Sequence, residues 1–160
     1  MLKKLLNLLN RDLTGRSWEE EAIHPYFGKI VLFAFGDSGK SYWEAELDFE
    51  GEQIGIALNA PDKCKPTESQ VIFVKNILEN PDQAFAKAAP ILVQEFETWH
   101  KEPFPEHWRS AFKLVGMTIP VNGNESEAWE LSYDSLKDPT GHQFTCYFER
   151  GKPSHASVDG

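Results

Sequence analysis

The chain has 160 residues, of which 41% are apolar and 26% charged, and 25 acidic against 16 basic residues give a formal net charge of -9. That length fits one domain over residues 1–160 with its own hydrophobic core, and the composition excludes the disordered and membrane-embedded classes. The negative total repels nucleic-acid phosphates and anionic membranes and favours a basic protein partner, and two distant cysteines, Cys64 and Cys146, fit a reducing cytoplasm better than a disulfide framework.

Residues 1–13, MLKKLLNLLNRDL, open like a signal peptide. Asparagines interrupt the apolar stretch, however, no small-residue cleavage site follows, and the segment is too short to span a bilayer. Leu2, Leu5, Leu6, Leu9 and Leu13 recur at helical spacing and predict a short N-terminal helix whose apolar stripe docks on the protein's own body, with membrane attachment as the alternative that the acidic total disfavours.

Ile30 to Phe35 is an unbroken apolar run and reads as a buried strand. Ala34 to Ser41, AFGDSGKS, then misses a phosphate-binding loop by one residue, Ala34 standing for the leading glycine, and Gly36-Asp37-Ser38-Gly39 echoes a chymotrypsin-like nucleophile segment. From Tyr42 to Glu50 the residues alternate between apolar and charged, which is the period of a strand. A phosphate loop needs a helix there, because half of its anion-binding apparatus is the helix N-terminus. A chymotrypsin-like triad needs two barrels that this length cannot hold. The stretch therefore predicts a glycine-rich hairpin turn.

A second turn at Glu50-Gly51 leads to Ile54, Ile56 and Leu58, which completes a three-stranded meander. Thr67-Glu68-Ser69-Gln70 is a capping box that opens a helix through about Glu79. Asn80-Pro81 starts a second helix, whose buried face is predicted as Phe85, Ala88, Leu92, Phe96 and Trp99, with Pro90 bending it. Strands follow at Phe112 to Ile119, Trp129 to Tyr133, Phe144 to Phe148 and Ser154 to Val158, separated by turn signals at Asn122-Gly123, Asp138-Pro139-Thr140-Gly141 and Gly151-Lys152-Pro153. The predicted order is βββ-αα-ββββ, an α+β fold with an antiparallel sheet of about seven strands and the helical pair on one face.

Chemistry-bearing residues are sparse. No histidine pairs with another at i, i+4 or sits beside a cysteine at ligand spacing, so no metal site and no cofactor is predicted. No local catalytic signature is present, and Cys146, alternating with Phe144 and Phe148, is expected in the core as an inert thiol. Trp99, His100, Phe104, His107 and Trp108 around KEPFPE suggest a pocket wall, against the plainer alternative that aromatics after a helix cap the core. Glu44, Glu46, Asp48 and Glu50, two residues apart on one strand, predict a row of carboxylates about 7 Å apart, suited to lysines or arginines rather than to a shared proton. The alternative is a plain solvent-facing strand. Trp18, Glu19 and Glu20 in SWEEEA, residues 17–22, add to this acidic surface.

The segments HPYFGKIVL, residues 24–32, and FTCYFERGKPSHASVDG, residues 144–160, resemble the flanking strands of small uncharacterised bacterial α+β proteins similar in size and acidity to the immunity proteins of toxin systems. The resemblance covers about 26 residues, mostly hairpin glycines and aromatics, and implies no catalytic residue. The resulting expectation is a non-enzymatic cytoplasmic protein that binds a basic partner, with a small-molecule binder or small hydrolase using Trp99 to Trp108 as the alternative.

Overall fold

A computed structural model of the chain describes residues 16–35 and 39–160, with the backbone alone for residues 16–18. The expected N-terminal helix and the turn residues Gly36, Asp37 and Ser38 lie outside the described residues. The fold is α+β, with a mostly antiparallel sheet. Among the described residues the elements are β1 (Arg16–His24), β2 (Gly28–Phe35), β3 (Ser41–Phe49), β4 (Glu52–Asn59), α1 (Glu68–Glu79), α2 (Pro81–His100), a 3-10 turn (Trp108–Ser110), β5 (Phe112–Ile119), β6 (Trp129–Ser135), β7 (Gln143–Glu149) and β8 (Lys152–Asp159). Hydrogen-bonded neighbours follow chain order from β1 to β8.

Two expectations are corrected. The described strands number eight rather than about seven, because Arg16–His24 is a strand. Its register with β2 shifts between Trp18 and Glu20, so the charged run Glu19-Glu20-Glu21 carries no clean alternation of apolar and polar residues by which to recognise it. The sheet is also not wholly antiparallel. β4 and β5 pair in parallel, Gly55 opposite Gly116 and Leu58 opposite Ile119, because the two intervening helices carry the chain back to start β5 at the same end as β4.

The chain divides into two compact units, Met1–Val74 with Gly116–Asn124, and Lys75–Val115 with Glu125–Gly160. In the first unit, β2 and β3 pair antiparallel up to Ala34 opposite Ser41, and Ser41 begins a strand, as the hairpin reading of GDSGKS requires. One face of these strands is the core: Ile30, Leu32, Trp43, Ile54, Ile56 and Leu58 are all fully buried. Trp43 satisfies its indole N–H on the Cys64 carbonyl at 2.9 Å, so the loop before α1 lies over Trp43 on this face.

The capping box forms as predicted. The Gln70 N–H donates to Thr67 Oγ1 at 3.3 Å, and the Thr67 N–H donates to Gln70 Oε1 at 3.1 Å. The same Gln70 amide, 2% exposed, also donates to the carbonyls of Asn59 and Pro120 at 3.0 and 3.1 Å. It thereby ties the start of α1 to the ends of β4 and β5.

In the second unit, α2 runs unbroken through Pro90 and buries Ala84, Phe85, Ala88, Leu92 and Phe96. Trp99 departs from the predicted face: it is 46% exposed at the last turn of the helix. β6 and β7 pair Leu131 with Cys146 and Tyr133 with Phe144, and Trp129 stacks on Phe148 with centroids 3.8 Å apart. Cys146 is buried, which pushes its thiol up to about 12, as the core reading of this residue expects. The β7–β8 hairpin turns at Arg150-Gly151, both with positive φ, 52° and 74°. Two such residues make the turn whose twist matches the strands, but a non-glycine there is strained. Arg150→Asn is expected to raise stability by about 0.5–1 kcal/mol in urea unfolding, because asparagine visits this region at lower cost.

Candidate interaction surface

The acidic residues of the first unit do not form the even row that their spacing predicts. On β3 the face opposite the core carries Tyr42, Glu44, Glu46 and Asp48; the first two are buried, Glu44 at 8% exposure, and the last two are exposed. Alternation assigns a face but not how deeply each side chain along it is buried. Glu50 is not on this face, since it lies in the hairpin turn with a φ of 50°. Asp48 accepts a short hydrogen bond from the Gln53 amide directly across the strand pair.

On β1, Glu19 is the extra residue at the register shift and pairs with Lys63 at 2.8 Å, while Glu21 pairs with Lys29 at 2.7 Å. Surface pairs of this kind are screened and contribute little to stability, about 0–1 kcal/mol each. Their effect here is to remove two carboxylates from the field that a partner would meet. Trp18 lies opposite Phe33 in the backbone register, and Glu20 is exposed. The unit therefore presents Glu46 and Asp48 on β3 and Glu20 on β1.

The proposed pocket wall resolves into two groups. Phe104 and Trp108 stack on Phe85 with centroids 5.8 and 5.0 Å away and planes within 11° and 9° of parallel. The Trp108 indole N–H donates to Asp82 Oδ1 at 2.8 Å, Arg109 bonds the same oxygen, and the Arg109 guanidinium lies 4.5 Å over the Trp108 ring. The Trp108 hydrogen bond, helped by Arg109, holds the Asp82 carboxyl below the usual carboxylate range. The Phe104 N–H donates to Glu97 Oε1 at 3.0 Å, which clamps the loop back onto α2. These contacts fasten the chain over the core, as aromatics that cap a helix do, and exposed His107 contributes only backbone to the 3-10 turn.

Trp99 and His100 belong to the other group, at the start of β7. Trp99 lies 4.8 Å from the His142 ring, and His100 stacks on Phe144 at 5.9 Å. His100 Nε2 is 2.9 Å from Ser135 Oγ, which also accepts the Lys137 N–H at 3.3 Å. With one lone pair engaged by Lys137, the serine proton is available to the imidazole, the arrangement of a nucleophile and its base. Ser135 is only 5% exposed, so this pair joins α2 to the end of β6 rather than facing a substrate.

His142 Nδ1 bonds Asp138, and Asp138 Oδ1 also accepts the Thr140 hydroxyl at 2.5 Å and the Thr140 N–H at 2.8 Å. The sequence marks Asp138 to Gly141 as a turn but does not show that His142 closes it. Its signal is the spacing: aspartate with threonine two residues on, and histidine four on. The Thr140 hydroxyl first, then its N–H and His142, holds the Asp138 carboxyl well below its ordinary value of 3.8. A depressed carboxyl contributes stability above that ordinary value and loses it as the pH falls further. Asp138→Asn is expected to lower the urea midpoint at neutral pH, with the gap from wild type closing as the pH drops below about 4; a gap that stayed constant to acid pH would mean that the charge is not what stabilises the turn.

Among the described residues, no group of three or more His, Cys, Asp or Glu is placed to hold a metal ion, and no helix is long and apolar enough to cross a membrane. Comparison of the chain with protein-family models, curated proteins and solved structures found no match.

Proposed function

We propose that this protein is a non-enzymatic binding module that offers the carboxylates of its first unit to a basic protein, in the manner of an immunity-type inhibitor, and that it works in the cytoplasm without nucleic acid, membrane or cofactor as a partner. The observation that supports this reading best is the outer face of β3 beyond Glu44, where Glu46 and Asp48 stand exposed on a rigid strand in a chain of net charge -9. Carboxylates fixed on a strand lose little freedom when a lysine or arginine meets them, and the net charge adds long-range steering. The hydrolase alternative is weakened by the burial of Ser135, the hydroxyl best placed for activation.

The test is kinetic. Glu46→Gln with Asp48→Asn removes charge at nearly constant shape and leaves buried Glu44 in place. Against a basic partner captured on the immobilised protein, wild type is expected to associate about tenfold faster at low salt than at high salt, and the double variant to lose most of that difference while its thermal unfolding stays within a degree or two. Association as fast in the double variant as in wild type at every salt concentration would remove β3 from the binding surface.

A further inference from the structure

We propose that two copies of this chain pair through β8, strand to strand and antiparallel, about a twofold axis at Ser157 that sets His155 of each copy opposite Asp159 of the other. This contact is in the second unit and uses none of the β3 carboxylates.

Among the described residues the sheet has two edges, β1 and β8, each hydrogen-bonded to one neighbour. An edge strand turns every second pair of N–H and C=O groups outward, and these accept another strand unless side chains prevent it. β1 is guarded. It carries the extra residue Glu19 at its register shift, and Glu20, opposite buried Leu32, brings a charge to the core side of that edge. β8 is guarded only at its start, by Lys152, Pro153 and the register shift that sets Ser154 opposite no residue of β7. From His155 to Asp159 the register with β7 is unbroken, and the stretch holds no proline or lysine.

That open stretch is held in place before any partner arrives. α2 packs against β8 and β7, and on the outer face the His155 ring stacks on Tyr147 at 4.3 Å with planes 5° from parallel. Tyr147 Oη lies 3.2 Å from Ser157 Oγ, and the Ser157 hydroxyl donates to Asp159 Oδ2 at 2.9 Å. A strand already extended loses little freedom on pairing. The core also thins here: Phe144 and Cys146 are fully buried, whereas Val158 and Ala156 opposite them are only half-buried. A strand laid beside β8 buries these two further.

Self-complementarity selects a second copy as that strand. His155, Ser157 and Asp159, opposite Tyr147, Thr145 and Gln143, lie on the outer face, and Ala156 and Val158 lie on the core face. With Ser157 opposite its own copy, Ala156 meets Val158 and His155 meets Asp159, so every pair shares a face. Odd and even residues both find partners in this register, so whichever set points its backbone outward is satisfied. Asp159, the one acid of the stretch, meets an imidazole and no carboxylate. A chain of net charge -9 thus brings two copies together here without setting like charges face to face. With β1 guarded, association stops at two.

Sedimentation equilibrium of the full chain, from micromolar to millimolar concentration, tests this. The average mass is expected to rise from one chain toward two and to level there. Ser157→Lys sets two lysines against each other on the axis and is expected to raise the dimer dissociation constant at least about tenfold, with thermal unfolding at the lowest concentration within a degree or two of wild type. His155→Asp sets acid against acid at both ends and is expected to weaken the dimer about as much, and adding Asp159→Lys to restore most of the loss. The two positions are about 13 Å apart along one strand, so rescue within a single copy is small. A chain that keeps the mass of one copy at every concentration overturns the proposal, as does a dimer that both single variants leave unchanged. Mass that climbs past two copies also overturns it, since a second edge is then open. If Ser157→Lys lowers the unfolding temperature, the exchange of charge between positions 155 and 159 decides: rescue supports the pairing, and no rescue overturns it.

Discussion

Phe96→Ala is expected to lower the unfolding free energy by about 3–5 kcal/mol, the range for removing a buried aromatic from a packed core. Phe96 is fully buried, and its ring meets Phe104 and Phe112 edge-on at centroid distances of 5.1 and 5.5 Å. Edge-to-face contacts of this kind add to the burial term, because the ring edge of one partner faces the negative face of the other. The neighbours are themselves rings fixed by stacking and hydrogen bonds, so they cannot collapse into the space and a cavity persists. Trp99→Ala is the control, three residues further along the same helix. With Trp99 46% exposed and lying beside His142, its loss is expected to cost no more than about 1 kcal/mol. The measurement is the urea midpoint of each variant at unchanged slope. Equal shifts for the two would mean that α2 turns its last residues inward, as the sequence periodicity alone suggests.

That contrast shows where the sequence was legible and where it was not. Period-two alternation located β3 and β4, an unbroken apolar run located β2, turn signals separated β5 to β8, and a capping box and a 3.6-period apolar face located the two helices. The Phe112 to Ile119 strand and the α1 capping box came out to the residue. β1 stayed hidden because an edge strand with few buried residues and a register shift leaves no periodic trace. Trp99 failed for a related reason: periodicity assumes that the core continues to the helix end, and here it stops at Phe96.

The candidate surface was less legible than the fold. Alternation put Glu44 with Glu46 and Asp48 correctly on one face, but burial of Glu44 depends on what lies over that face, which no spacing encodes. Lys63 and Lys29, which engage Glu19 and Glu21, come from a loop and from the neighbouring strand, one of them 44 positions away. The contact of Ser135 with His100 likewise spans 35 positions and has no local signature. Pairings of this range appear only when the strands are laid side by side.

Gly123 is the position where a single methyl group is expected to do most harm for its size. Gly123 ends the turn after β5 with a φ of 60°, and its N–H donates to the Pro120 carbonyl at 3.1 Å. A Cβ built there would lie 2.4 Å from the Ser69 carbonyl oxygen and 2.5 Å from the Ser69 carbonyl carbon. Both are backbone atoms of the first turn of α1, held in place by the capping box and by the Gln70 amide, which reaches Pro120 at 3.1 Å in the same turn. The obstacle therefore cannot rotate away as a side-chain tip would. Gly123→Ala combines the left-handed cost of a non-glycine residue, about 1–2 kcal/mol, with a clash that must push α1 off the end of β5. The expected loss is at least 2 kcal/mol, roughly. Gly141→Ala provides the comparison, since its φ of 81° carries the same kind of strain but nothing lies within 4 Å of the added atom. It is expected to cost only the conformational part. If thermal unfolding placed the two variants at the same midpoint, the close approach of Ser69 to Gly123 would not be a fixed feature of the folded chain, and the Gln70 amide would lose its role as the fastening between α1 and the two strand ends.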